Sequence, residues 1–267
     1  MNDAQPLTVI RLAHAGVLLD FAGTRILTDP WFVESWMYHH GEPLAMRAAE
    51  LPDLDGVIVS HDHYDHNDMA GLAEYRDHGV PIVVPRGAAG SARGNGFTTV
   101  NELEPWQSIP LGGVTVTACP GLHHQVPELT YVLEANGVRV FFGGDTLLIP
   151  ELLTLRDHFG PFDLALLPCN GLVVRVKLNK QVVMTAEEAA ELCAALQPRY
   201  AVPIHYAFWG NAITERLVIK HSRTGAEEFA RAAQRLSPET HVRILPPGQP
   251  LTIEARRAVE LSPVVGS

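Results

Sequence analysis

Val57-Ile-Val-Ser60 leads directly into His61-Asp-His-Tyr-Asp-His66. The β-branched run reads as a short strand, and the loop after it carries three histidines and two acids within six residues. Imidazole nitrogen and carboxylate oxygen are the ligands that zinc and its neighbours in the metal series prefer. Two histidines at i and i+2 of an extended segment project to the same side, so His61 and His63 can grip one ion. Asp65 and His66 then emerge as the chain turns and can face a second. A solvated polar loop is the ordinary fate of a charged cluster. Four imidazole and carboxylate groups packed this densely behind an apolar strand serve no core purpose, and metal binding is the better reading.

The pattern His61-x-His63-x-Asp65-His66 resembles the metal-binding signature of the metallo-β-lactamase-fold superfamily. The resemblance implies an α/β fold built as a four-layer αββα sandwich, with a dinuclear metal site at one edge. Within the superfamily it is similar to the branch containing ascorbate-phosphate lactonase and N-acyl phosphatidylethanolamine phospholipase D. It extends over nearly the whole chain.

Outward from the loop, residues 7–12, 17–21 and 24–28 read as strands, with Ala22-Gly23 as a hairpin turn. A similar unit recurs at 131–134, Asn136-Gly137 and 138–143. Each unit carries an arginine after the turn (Arg25, Arg139) and an aspartate near its end (Asp29, Asp145), which hints at duplicated halves. Asn67-Asp68 predicts a helix N-cap, with the helix running to about residue 78. Further strands are expected at 80–84, 114–118, 163–167, 201–204 and 242–245, and helices at 150–158 and about 224–236. The stretch 85–97 reads as a turn or a short helix start, and 171–183 as irregular. Thr185-Ala-Glu-Glu188 is a capping box opening a helix to about 196. No linker or low-complexity block interrupts the pattern, so one domain over residues 1–267 is expected.

The remaining ligands should sit at strand ends. His123 closes Pro120-Gly-Leu-His123, Asp145 follows Phe141-Phe-Gly-Gly144, and His205 ends Val202-Pro-Ile-His205. These resemble the family's Pro-x-x-His, Gly-Asp-Thr and final metal histidine. Carried over, they imply one ion on His61, His63 and His123, a second on Asp65, His66 and His205, and Asp145 between them. His124 rivals His123, but the spacing from Pro120 favours His123. Asp29 resembles the acid that orients a ligand histidine from behind. His14 resembles a histidine near the substrate, and with Asp65 it is the candidate for proton handling. A hydrogen-bonded loop histidine is nearly as good a reading of His14.

The composition is that of a protein with ample core, 46% apolar and 19% charged. A net charge of −10 argues against nucleic acid as the partner. Residues 1–6 lack the regions of a signal peptide, and no apolar run is long enough to cross a bilayer. A cytoplasmic protein without stable membrane association is expected. Cys119, Cys169 and Cys193 are odd in number and lack C-x-x-C spacing, so neither a disulfide framework nor a thiolate zinc site is indicated.

Substrate contacts are harder to read. The aromatic stretch at 31–46 holds Trp31 and Trp36 and suits either a ligand-contacting loop or a packed or homodimeric surface. Arg175 and Lys177 concentrate positive charge and could clamp an anion, although a solvated face is the commoner explanation. Trp209 could wall the site or fill the core. The phospholipase-like relatives carry an aromatic residue and Ser-Gly-Arg after Pro-x-x-His, and a tyrosine after Gly-Asp-Thr. This chain has His124-Gln125-Val126 and Leu147, which argues against a phospholipid. The expectation is a hydrolase with two divalent ions, zinc first and manganese or iron as alternatives. Its substrate would be a small, anionic ester, lactone or phosphodiester. A non-hydrolytic iron or manganese enzyme and a metal-binding sensor domain are the rival classes.

Overall fold

The computed structural model describes residues 5–124 and 126–256. Residues 1–4 of the stretch read as lacking signal-peptide regions, Gln125, and 257–267 of the expected 1–267 domain lie outside the described residues.

Strands β1 (Leu7–Ala13), β2 (Gly16–Phe21) and β3 (Thr24–Thr28) form an antiparallel meander. The two-residue turn between β2 and β3 puts Ala22 and Gly23 at φ 55° and 105°, the left-handed geometry that matches the twist of a tight hairpin. Strand β4 (Tyr38–His40) leaves the meander. Strands β5 (Gly56–Ile58), β6 (Ile82–Pro85) and β7 (Val100–Leu103) extend β3 in parallel. Between them lie the short helices α1 (Met69–Leu72) and α2 (Gly90–Gly94).

The second half repeats the plan. Strands β8 (Ser108–Leu111), β9 (Val114–Pro120), β10 (Leu129–Ala135) and β11 (Val138–Phe142) form an antiparallel meander. Helices α3 (Pro150–Leu153) and α4 (Leu155–Phe159) lead to β12 (Leu164–Pro168), parallel to β11. Strands β13 (Val173–Val174) and β14 (Lys180–Gln181) leave the sheet, and α5 (Ala186–Leu196) returns to β15 (Tyr200–Ile204). Next come β16 (Phe208–Gly210), α6 (Ala212–Leu217), β17 (Ile219–Lys220) and α7 (Gly225–Leu236). Strand β18 (His241–Val242) pairs with β15, and β19 (Pro250–Ile253) crosses back to pair with β1.

The result is two seven-stranded sheets, ordered β19-β1-β2-β3-β5-β6-β7 and β18-β15-β12-β11-β10-β9-β8. Their facing sides make one core that includes Leu19, Ile26 and Ile58 from the first sheet and Val116, Leu133, Phe142 and Val202 from the second. Helices α1 and α2 cover the outer face of the first sheet, and α3, α4, α5 and α7 that of the second. This is the expected αββα sandwich. Helix α5 is set by its capping box, in which Thr185 and Glu188 bond each other's backbone. It buries Ala189, Ala190, Leu192, Cys193 and Leu196 against Phe229, Ala232 and Ala233 of α7.

Some local expectations fail for physical reasons. The helix opened by Asp68 has four residues and stops well before 78, because the following turn tightens and Tyr75 is pinned by the Leu54 N–H, which bonds its hydroxyl. The helix at 150–158 is two short helices. The strand at 242–245 ends at Val242, since Leu245 directs its carbonyl to Arg11 and Pro246-Pro247 follows. The segment 171–183 is not irregular: β13 pairs with β14 and with the distant β17. Such non-local two-residue pairings leave no periodicity to read. Among the described residues no helix is long and apolar enough to cross a membrane.

Candidate metal centre

Strands of both halves point their carboxyl ends at one edge of the sandwich, where open α/β sheets hold their ligands. His14 follows β1, Asp29 follows β3, the 61–66 loop follows β5, His123 follows β9, Asp145 follows β11 and His205 follows β15. His14, Asp29 and His205 all have positive φ (51°, 31° and 55°). A non-glycine residue in that region costs on the order of 1–3 kcal/mol and persists where the surroundings enforce it. Here the enforced turn aims each side chain into the edge.

The hydrogen bonds behind the histidines decide which nitrogen faces inward. Ser60 donates from both its N–H and its hydroxyl to the Asp29 carboxylate, each at 2.6 Å. With its proton so used, the Ser60 hydroxyl oxygen, 2.9 Å from His61 Nδ1, accepts from the ring and leaves Nε2 with a lone pair. His66 Nδ1 lies 2.6 Å from the same Asp29 carboxylate, which likewise frees its Nε2. His123 Nδ1 donates to the Val182 carbonyl at 2.9 Å and frees its Nε2. Asp29 thus fixes two imidazoles, one directly and one through Ser60.

The inward atoms crowd together. His61 Nε2 and His63 Nδ1 are 2.9 Å apart, and the rings of His61, His63 and His123 are 4.5–4.9 Å apart. Candidate ligand atoms of His61, His63 and His123 lie within 4.8 Å of one another. So do those of His14, Asp65, His66 and His205, and those of His61, His66 and Asp145. Asp145 Oδ2 is 3.2 Å from His66 Nε2 and 2.9 Å from His205 Nε2, while the buried Asp145 Oδ1 and both His205 nitrogens lack a hydrogen-bond partner.

Burial first, then neighbouring imidazoles, hold His61 well below its usual pKa. Burial is also the main reason that His123 falls to about 4 and His14 to about 3. For Asp145, burial works upward, but His205 and His66 outweigh it and keep the carboxylate ionised. At His66 burial also works downward, but the Asp145, Asp29 and Asp65 charges outweigh it and raise it well above the usual imidazole range. The lowered imidazoles beside ionised carboxylates are a donor set for divalent cations, and a bound cation would take the place of the His66 proton. The residues therefore fit the metal site that the sequence implies.

Two residues of the site were not anticipated. Glu128 is buried, and its carboxyl accepts the Asp145 N–H at 2.7 Å, while its other oxygen lies 3.8 Å from His123 Nδ1. Burial, then the Asp145 charge, push it well above the usual carboxylate range. The signal was an acid opening an apolar strand, but only the fold shows what it meets. Gly144 (φ 56°) sits beside it, where a Cβ would lie 2.5 Å from Ser60 Cβ and 2.8 Å from Glu128 Oε1. Arg11 is also fully buried, paired with Glu42 and the Tyr206 hydroxyl, and Glu42 in turn holds the His14 backbone N–H. A charge in the middle of an apolar strand was its sequence signal.

A cavity of about 190 Å³ opens over these groups, floored by His63, Asp65, His123 and Asp145. Its walls include Tyr38, Tyr64, Leu172, Val182, Phe208 and Ile219, with Lys177 and His124 also lining it. Of the expected substrate contacts, Lys177 lines this cavity and the others do not. Trp31 is buried behind it against His14, His40 and Phe208. Trp36 is 76% exposed, with its backbone carbonyl tied to Asn211. Trp209 packs against Gly41 and under the Arg223 guanidinium. Arg175 donates to the Ile219 carbonyl at 2.9 Å.

Comparison with known proteins agrees with this geometry. Residues 24–206 match the model of the β-lactamase superfamily domain. The chain is 30% identical over 209 residues to the UPF0173 metal-dependent hydrolase of Thermococcus onnurineus, spanning 74% of this chain and 84% of that one. It is 28% identical over 231 residues to N-acyl-phosphatidylethanolamine-hydrolyzing phospholipase D 1 of Caenorhabditis elegans, covering 76% of this chain and 65% of that protein. Its fold matches a metallo hydrolase from the archaeon Ignicoccus hospitalis with a TM-score of 0.71 at 19% identity, over 94% of this chain and all of the other.

Proposed function

The chain belongs to the β-lactamase superfamily domain family and is a metal-dependent hydrolase of the metallo-β-lactamase fold, and from that premise we propose a dinuclear enzyme acting on a small, anionic ester, lactone or phosphodiester. The observation that carries the reading is the convergence of His66 Nε2 and His205 Nε2, at 3.2 and 2.9 Å, on one oxygen of an Asp145 carboxylate whose other oxygen is uncommitted, with His61 Nε2 and His63 Nδ1 2.9 Å apart in the same cluster. His61, His63 and His123 would hold one divalent ion, Asp65, His66 and His205 the other, with Asp145 between them. Zinc is the first choice for this nitrogen-rich set, with manganese or iron as alternatives. Bound there, the ions would lower the pKa of water from about 15.7 towards about 7 and supply a hydroxide nucleophile at neutral pH.

The chain's own groups do the rest. Asp65 Oδ2 lies 3.5 Å from His14 Nε2 at the cavity floor, placed to hold a proton and return it to the leaving group. His14 is kept neutral by burial and is the partner that steadies that carboxylate. Leu172, Val174, Phe208 and Ile219 exclude water from the substrate side. The acidic balance of the chain, 30 acidic against 20 basic residues, supports a small-molecule substrate over a nucleic-acid one.

The test is hydrolysis of chromogenic esters by chelator-treated protein, before and after zinc or manganese is added. Activity should return with metal, and His61→Ala and Asp145→Ala should abolish it with the fold intact. Wild-type rates in either variant would sink the reading.

A further inference from the structure

Glu128 stands where three ligand-bearing segments meet. It lies just before β10, and its backbone forms an antiparallel bridge with His61. Beside that bridge the Leu129 N–H donates to the Ser60 carbonyl at 2.9 Å. The donor loop of the first half is thereby tied to the second sheet at this residue. The Glu128 side chain is fully buried. One of its oxygens accepts the Asp145 N–H at 2.7 Å, and the other lies 3.8 Å from His123 Nδ1 without a hydrogen-bond partner.

The chain makes room for this carboxyl on both sides. A Cβ at Gly121 would lie 2.9 Å from Glu128 Cγ, and one at Gly144 would lie 2.8 Å from its Oε1. Gly121 stands two residues before His123, and Gly144 directly precedes Asp145. The backbones of both ligand turns therefore close on Glu128. A buried oxygen without a partner is costly, and packing alone would be served by an apolar side chain. Asp29 offers a comparison within the molecule, since it holds Ser60 and the His66 ring. Glu128 differs in gripping its ligand by the backbone. A bond to the Asp145 carboxylate would consume an oxygen, whereas a bond to the N–H orients the residue and leaves Oδ1 uncommitted.

We propose, resting on the dinuclear reading above, that Glu128 is a positioning residue that sets Asp145 between the two ion subsites and backs the His123 imidazole. It acts through those ligands alone, because it does not line the cavity above them. Loss of its acceptor should release the left-handed turn at Gly144 (φ 56°) and let Asp145 drift from both subsites.

Cobalt(II) reconstitution of the full chain tests this, read by stepwise competition with a chelating dye and by the visible absorption of the bound ions. Glu128→Met fills the same space without an acceptor. It should weaken cobalt affinity by roughly 10–100-fold and shift the absorption bands. Glu128→Gln keeps an oxygen for the Asp145 N–H and should retain the wild-type affinity and spectrum. Glu128→Asp keeps the charge but draws the carboxyl back by one methylene. It should lose affinity as the methionine variant does, and it decides the matter if that variant does not fold. Folded Met and Asp variants with a lowered unfolding midpoint but unchanged affinity and spectrum would overturn the assignment. So would equal losses in the Gln and Met variants. Wild-type protein that takes up no more than one cobalt ion overturns the dinuclear reading instead, and the affinity for that ion across the same variants still decides the role of Glu128.

Discussion

The two halves of the molecule follow one plan and put it to different uses. In each, a meander ends in a hairpin whose strands pair an acid with an arginine. Asp20 faces Arg25 in the first and Glu134 faces Arg139 in the second, with ion pairs of 2.8 and 2.6 Å. Each hairpin turn holds two residues at positive φ, and each closing strand leads to an aspartate. There the likeness stops. The Asp29 carboxylate is filled by Ser60 and His66 and has no oxygen to spare, whereas Asp145 keeps one buried oxygen without a partner. Burial leaves Asp29 raised above the usual carboxylate range despite those bonds, while His205 and His66 more than offset the same penalty at Asp145. One aspartate orients ligands, and the other is available to be one.

The loops after the next strand diverge further. The first half follows β5 with His61, His63, Asp65 and His66, and the second follows β12 with Cys169-Asn170-Gly171. The frame is duplicated, and the chemistry is loaded onto one side of it and completed singly from the other. That is the division expected where a rigid sheet positions variable loops.

The strongest way to break this comparison is to swap the state of the two aspartates. Asp145→Asn should abolish hydrolysis and lower the bound metal, read by turnover and elemental analysis. Asp29→Asn should retain the metal but weaken its affinity by roughly 10–100-fold, as measured by competition with a chelating dye. Equal losses in the two variants would erase the distinction between them. Next in size, Gly144→Ala puts a methyl against Ser60 and Glu128 at a left-handed position, and should destabilise the fold by about 2–3 kcal/mol in chemical denaturation. An unchanged midpoint would show that the two loops can part there. The smallest effect compares the turns. Ala22 occupies a left-handed position where the second half has Asn136. Ala22→Asn should stabilise by about 1 kcal/mol and Asn136→Ala should destabilise by a similar amount, both visible as shifts in Tm.

The donor loop was legible because four ligand residues packed this densely behind an apolar strand are poorly explained as a solvated polar loop. His123, Asp145 and His205 were legible because each follows an apolar strand within a short stretch that resembles a family element. Glu128 was not, since its meaning comes from packing against Asp145 and His123 across the two halves. The aromatic stretch at 31–46 lies beside the cavity, but the tryptophans read there do not line it. Its exposed tryptophan is turned away, while Tyr38, with Tyr64 and Phe208 from elsewhere, lines the cavity. Aromatic density gives no orientation until β4 pairs with β16. The basic pair separated in the same way, because only the distant β17 shows that Arg175 is bound to backbone, while Lys177 lines the cavity.

The central claim is that donors from both halves converge to hold two ions. Elemental analysis of the folded protein, purified without chelator, tests it most directly. The account predicts about two equivalents of a divalent metal per chain, zinc or manganese, falling in Asp145→Ala. One equivalent or none in folded wild-type protein would contradict it.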